Sequence, residues 1–268
     1  MSIEQTDEVR LAALRLTAPM DAVATGLTAA WLYGVWKPRP GEPVPLHFAT
    51  PTDRGGFVAS GARSSRLVLD DGDVDEFHGF PVTTPERTCF GLMTVGSLTQ
   101  AVVWADAFLH AQLVCSGALA RYADERPRWP GVRKVREAAQ LARADAASPM
   151  ESRLRMVIVL GGLPEPPLLN QPLYGPDGTL LGVPDMRYVV PWFGLEYDGS
   201  YHDDPDQHFA DVVRENRLLL LGDLPLLRYT AADVFGAPHR IVREVGTMLR
   251  RAPGSRLLLP VPRIGTPQ

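Results

Sequence analysis

The spacing of apolar residues divides the first half of the chain into a helical start, a few strands and a run of helices. Residues 7–36 follow an apolar pattern of helical period that Pro19 interrupts, and the Pro- and Gly-rich stretch 37–43 ends it. Short apolar runs predict strands at 44–49, 65–69 and 74–77. Helices are predicted from Pro85, from Ser97, over 116–124 and over 131–144. These elements indicate an α+β region that ends at the small-residue segment 142–148.

The second half alternates strands and helices in the manner of a small mixed sheet. Ser148, Pro149 and Glu151 have the spacing of a helix start, with serine at the N-cap and proline at the first helical position. The elements predicted after this helix are an extended stretch at 168–175, strands at 182–190 and 192–199, a helix at 205–221, a strand at 224–230 and a helix at 239–251. The order predicts an α/β fold, a mixed sheet flanked by helices. We therefore predict domains at 1–147 and 148–252, with a flexible tail at 253–268.

Three acids on two successive predicted strands are candidates for a common site. Glu196 and Asp198 project to the same face because side chains alternate along a strand. Asp185 lies on the preceding strand, and pairing of the two strands around a turn at Pro191 would bring it close to both. Converging carboxylates repel unless a cation neutralises them, and Mg²⁺ or Mn²⁺ would suit such ligands. The alternative is three solvated acids on an exposed strand face, and the spacing leaves both interpretations open.

Motifs around these acids carry a family resemblance. They are SPxESxxR at 148–155, PD at 184–185, GLEYDGxxH at 194–202, DxxRxN at 211–216 and LLRY at 226–229. Over residues 148–251 the chain resembles the domain-of-unknown-function-559 family, which is similar to the very-short-patch-repair endonucleases of the PD-(D/E)XK nuclease superfamily. The resemblance implies a restriction-endonuclease-like core, preceded here by an α+β region. It also implies an endonuclease that hydrolyses phosphodiester bonds in DNA with Mg²⁺ or Mn²⁺.

The same resemblance implies roles for individual residues. Asp185, Glu196 and Asp198 would be the metal ligands, with Glu151 as an additional acid. His202 would assist proton transfer or contact phosphate, and it and Arg214 match polar positions of the family; so does Asp211. One departure is that Asp198 stands where the superfamily commonly has a lysine, and the only lysines are Lys37 and Lys134. A domain that binds without cutting therefore stays open.

Each supporting residue also has a structural interpretation. Glu151 could simply cap its helix, and His202 could be a surface residue of a loop. Arg214 could form ion pairs within its own helix, and a contact to phosphate or to the acids is the alternative. Arg228 lies inside an apolar strand, where a guanidinium needs a carboxylate partner.

The first half carries a second resemblance. Residues 26–36, GLTAAWLYGVW, and 79–93, GFPVTTPERTCFGLM, are similar to the AbiEi family of antitoxin-like proteins of toxin–antitoxin systems. This resemblance implies an AbiEi-like region and a partner that is a toxin or another component of a defence system. It supports a second hypothesis for the whole chain, a non-catalytic, antitoxin-like transcriptional regulator or nucleic-acid-binding protein.

Composition narrows these hypotheses only slightly. The chain has 268 residues, of which 45% are hydrophobic and 22% charged, with a formal net charge of −4, so it lacks the strongly basic balance of proteins that grip nucleic acid along their length. No apolar run reaches the ~20 residues that cross a membrane, and the start does not resemble a secretory signal. Cys89 and Cys115 predict two inert core thiols. We expect a cytoplasmic protein, and cutting both DNA strands would require a homodimer or two successive cuts.

Overall fold

The computed structural model describes residues 21–51, 62–77, 79–115, 117–199 and 216–250, together with positions 9, 12, 213 and 214. The chain divides into two compact units, Met1–Pro149 and Met150–Gln268. Each unit combines a sheet with helices, which confirms the predicted α/β class. No helix among the described residues is long and apolar enough to span a membrane.

The first unit is built on a five-stranded mixed sheet with the order β3-β2-β1-β5-β4. Its strands are β1 (Val23–Ala24), β2 (Leu46–Pro51), β3 (Ala62–Leu67), β4 (Val74–Phe77) and β5 (Phe80–Thr83). β2 runs parallel to β3 and antiparallel to β1, and β1 runs parallel to β5. Phe48, Phe80 and Val82 pack with buried alanines into the core beneath this sheet.

The described part of the first unit also contains five α-helices of seven or more residues. They are α1 (Gly26–Leu32), α2 (Pro85–Met93), α3 (Leu98–His110), α4 (Ala118–Asp124) and α5 (Val132–Leu141). The Thr84 and Ser97 side chains cap α2 and α3 by accepting hydrogen bonds from the first turn of each helix, at Arg87 and Gln100. Both of these helices begin where the sequence predicts, because the capping signal is local.

The second unit has a four-stranded mixed sheet with the order β11-β10-β9-β6 and a separate two-stranded pair, β7–β8. Its strands are β6 (Leu168–Leu169), β7 (Leu173–Tyr174), β8 (Leu180–Gly182), β9 (Met186–Tyr188), β10 (Phe193–Tyr197) and β11 (Leu226–Tyr229). Its helices are α6 (Pro149–Leu160), α7 (Ala231–Gly236) and α8 (Pro238–Leu249), and residues 216–220 are also helical. β10 pairs antiparallel with β9 and parallel with β11, so it lies in the middle of the sheet.

Several predictions of local structure were wrong. The helix predicted over 7–36 contains the strand β1 in its described part, and the strand predicted over 182–190 is broken between β8 and β9 at Pro184 and Asp185. β5 and α7 were not predicted, because they are four and six residues long and leave little periodic signal.

Cys89 is buried as predicted, whereas Cys115 is exposed after the end of α3.

Candidate functional site

Pairing of β9 with β10 brings Asp185 and Glu196 next to each other. Leu195 lies opposite Met186 at the end of the antiparallel pairing, and Glu196 and Asp185 are the next residues along the two segments. The backbone N–H of Tyr197 donates a hydrogen bond of 2.7 Å to Oδ2 of Asp185. The Asp185 carboxylate is therefore held at the end of β9 by the neighbouring strand.

Two arginines hold the Glu196 carboxylate, which is only 5% exposed. Nη1 and Nη2 of Arg214 donate to the two carboxylate oxygens at 3.0 and 3.4 Å. On the other side, Nη2 of Arg228 lies 3.2 Å from Oε2, since Arg228 faces Glu196 across the parallel β10–β11 pair. The carboxylate partner predicted for Arg228 is thus Glu196, and Arg214 makes the contact to the acids that was the alternative to pairing within its own helix.

Glu151 joins this group from α6. It lies in the first turn of the helix, and its residue is 9% exposed. Nδ2 of Asn170 donates to Oε2 of Glu151 at 2.7 Å. We refer to Glu151, Asp185 and Glu196 as the carboxylate cluster, and to the cluster with Arg214 and Arg228 as the charged site.

The charges of the cluster act on one another. The pKa of Asp185 is raised from 3.8 to about 7, mainly by burial and also by the charges of Glu151 and Glu196. The Tyr197 N–H and the Arg214 guanidinium oppose this effect without cancelling it. The surroundings of Asp185 therefore compensate its negative charge only in part.

The other predicted site residues differ in how far the structure describes them. Asp198 follows the last residue of β10, and its backbone N–H donates to the Tyr229 carbonyl at 2.8 Å. His202 and Asp211 lie outside the described residues. Among the residues that are described, no group of three or more histidine, cysteine, aspartate or glutamate side chains has an arrangement that could hold a metal ion.

Asn170 is the part of this site that the sequence did not predict. It follows β6, and its φ of 49° lies in the left-handed region, which asparagine tolerates better than most residues. Its backbone N–H donates to the Asp185 carbonyl while its side chain binds Glu151, so one residue connects two members of the cluster. An asparagine beside the Gln-Pro of an extended stretch was the only available signal.

Comparison with known proteins finds a family match in the first unit. The family model described as the AbiEi antitoxin C-terminal domain matches residues 22–142. Two uncharacterized proteins of Mycobacterium tuberculosis, Rv2248 and MT2308, are each 28% identical to this chain over 251 residues, covering 91% of this chain and 87% of the relative. The crystal structure of the RV2827C protein from Mycobacterium tuberculosis aligns over 66% of this chain and 68% of its own, with 13% identity and a TM-score of 0.38. Residues 22–142 are therefore similar to the AbiEi antitoxin C-terminal domain, and the nuclease resemblance of the second half stays a prediction.

Proposed function

We propose that this protein acts as an antitoxin-like component of a toxin–antitoxin or defence system, through binding by its first unit. The proposal rests on the agreement between the ends of the family match and the ends of the folded elements of the first unit. The match to the AbiEi antitoxin domain begins at residue 22, next to β1, and ends at residue 142, immediately after α5. The matched segment therefore contains the five-stranded sheet and helices α1 to α5, so the similarity extends over most of the first unit.

The test of this proposal is protection of growing cells. A toxin gene that neighbours the gene for this protein would be induced in a heterologous host, with and without the full chain, and colony growth would be measured. We expect the full chain to restore growth. Asp185→Asn should protect as well as wild type, because Asp185 belongs to the other unit. Failure of well-folded wild-type chain to protect would refute the antitoxin-like role.

The second unit favours a second candidate function, an endonuclease that hydrolyses DNA with Mg²⁺ or Mn²⁺. The observation in its favour is the convergence of Glu151, Asp185 and Glu196 beside two arginines. Carboxylate oxygens are the ligands that these hard cations prefer, and Asp185 and Glu151 are the residues that would hold such an ion. Glu196 does not fit it in the described arrangement, because both of its oxygens already face guanidinium groups.

The chain's own residues would divide the work of such an enzyme. A bound cation would polarise a phosphodiester and lower the pKa of an attacking water. Arg214 and Arg228, whose side chains are 35% and 32% exposed, would bind and orient phosphate oxygens. Asp185 would anchor the cation, so its loss should remove activity more completely than loss of either arginine.

Plasmid cleavage distinguishes this candidate from the first. Supercoiled and linear plasmid would be incubated with wild type in Mg²⁺, Mn²⁺ and EDTA, beside Asp185→Asn, Asp198→Asn and the control Asp223→Asn. Nicking that needs the cation, survives in the control and is lost in the two site variants would support the nuclease. Nicking that all three variants retain would come from a contaminant or another site, and no nicking under any condition would count against the enzyme. A gel-shift assay in EDTA would measure DNA binding separately from cutting.

A further inference from the structure

The first unit contains a cavity that neither proposed function uses. Its volume is about 830 Å³, and it lies between β2, β3 and the helices α2 and α3. All of its lining residues belong to the first unit. Cavities of about 300–1,000 Å³ are the usual size for small-molecule and cofactor sites.

The walls of the cavity are aromatic. Trp36, Trp104 and Trp129 line it together with Phe90. The rings of Phe90 and Trp129 pack edge to face with centroids 5.5 Å apart, so the position of the Trp129 ring is set by the core. Tryptophan surfaces of this kind bind planar rings by stacking, whatever the pattern of polar groups on the ring.

A buried arginine reaches the same cavity. Arg87 is 6% exposed, and its guanidinium lies over the Trp129 ring at 4.9 Å. Its Nε has no hydrogen-bond partner, and its nearest carboxylate oxygen, Oδ2 of Asp73, is 3.9 Å away. Asp73 already accepts hydrogen bonds from Tyr122 and Arg126 at 2.5 and 3.2 Å. The positive charge of Arg87 is therefore incompletely compensated within the described residues, which is costly for a buried guanidinium.

A second positive side chain lines the cavity, and the other polar side chains there are uncharged or, in His47, titratable. Arg63 also borders the cavity, and the described lining residues include no aspartate or glutamate. His47 is the other titratable group there, and burial lowers its pKa, as does the charge of Arg63, so it offers a neutral ring nitrogen for hydrogen bonding. Gly91 adds room beside Arg87, because a Cβ at this position would stand 3.4 Å from Nη1.

We propose that this cavity binds a small aromatic anion of mononucleotide size, with its ring among the tryptophans and its phosphate on Arg87 and Arg63. The aromatic walls and the two arginines favour different parts of one ligand. The tryptophans bind a planar ring, and the guanidinium groups bind an anion with several acceptor oxygens. The proposal depends on neither the antitoxin-like role nor the nuclease.

Tryptophan fluorescence of the full chain tests it, because three of the five tryptophans line the cavity. The probes would be AMP, adenosine and inorganic phosphate, with calorimetry to confirm each dissociation constant. We expect AMP to quench the fluorescence saturably and to bind at least about tenfold more tightly than adenosine or phosphate, because only AMP uses both halves of the site. Arg87→Met and Arg63→Ala should each weaken AMP binding by about tenfold or more.

The matched control is Arg133→Ala, which removes an exposed arginine of α5 outside the cavity lining and should leave AMP binding unchanged. Arg63 is exposed on β3, so Arg63→Ala tests the charge without removing a buried group. Trp104→Phe should weaken the binding of AMP and adenosine alike. No AMP binding up to about 1 mM, equal affinity for AMP and adenosine, or unchanged affinity in the Arg63 and Arg87 variants would overturn the proposal.

Discussion

Replacing Asp185 with asparagine should stabilise the second unit at alkaline pH and change it little at acidic pH. The carboxylate lies in the charged site, where burial and then the charges of Glu151 and Glu196 raise its pKa to about 7. Asparagine keeps an oxygen that can accept the Tyr197 N–H, and it carries no charge at any pH. The substitution therefore removes the electrostatic cost while preserving the hydrogen bond that positions the side chain.

The size and sign of the effect follow from the two pKa values. Between pH 3.8 and about 7 the folded state keeps a proton that the unfolded state has lost, so the free energy of unfolding falls as the pH rises through this range. At about 1.4 kcal/mol for each pH unit, the full cost above pH 7 is roughly 4 kcal/mol. Asp185 is only partly enclosed, so we expect about 2 kcal/mol of this to appear as stability of the variant.

Thermal unfolding followed by circular dichroism at pH 5 and pH 8, in EDTA, measures this difference. At pH 8 the Tm of the transition that belongs to the second unit should rise by roughly 5–10 °C in Asp185→Asn, and the gain should shrink towards pH 5. Asp223→Asn is the control, because Asp223 is exposed and its φ of 47° suits asparagine. A gain that is equal at both pH values, or a loss at pH 8, would refute the reasoning.

Mn²⁺ should raise the Tm of wild type but not of the variant if the cluster holds a cation.

Two further predictions concern stability alone. Glu165→Ala should lower the free energy of unfolding by about 3 kcal/mol in a urea titration, because the guanidinium of Arg155 is fully buried and pairs with Glu165 at 2.7 Å. Adding Arg155→Met should restore part of this loss, and a double variant that is no more stable than Glu165→Ala would contradict the prediction. Gly131→Ala should lower it by about 2–3 kcal/mol, because φ is 81° and the new Cβ would stand 2.8 Å from Cγ2 of Thr94. Gly41→Ala has a φ of 82° and open space around it, so it should cost only about 1 kcal/mol, and equal losses at the two glycines would argue against the steric contribution.

Local signals predicted the helices of this chain better than its short strands. Ser97 and Pro85 define helix starts through hydrogen bonds and backbone angles within one turn, and both helices begin there. The strand at 74–77 also has the predicted bounds. β1, by contrast, has two residues within an apolar pattern of helical period, and it is a strand because β2 and β5 pair with it on either side. Partners that are distant in sequence leave no local pattern from which to predict such a strand.

In the charged site, too, local sequence signals predicted some contacts, whereas others depend on segments that are distant in sequence. Alternation along β10 and the turn before it predicted that Asp185 would approach Glu196, and in the structure the N–H of Tyr197, the residue after Glu196, donates to the Asp185 carboxylate. The contacts of Glu196 with Arg214 and Arg228 cross two other elements, so the sequence could suggest a partner for Arg228 without identifying it. Those contacts decide how much of the cluster's negative charge remains for a cation.

By itself, the sequence determined the α/β class, the main helices and the strand pair that carries the acids, because side-chain periodicity and helix capping act over a few residues. Only the tertiary structure decided that Glu196 is neutralised by two arginines, that Glu151 and Asn170 reach the same place, and that Arg87 lines one cavity with three tryptophans. Burial and charge compensation depend on which distant segments pack together, and this is a property of the folded chain.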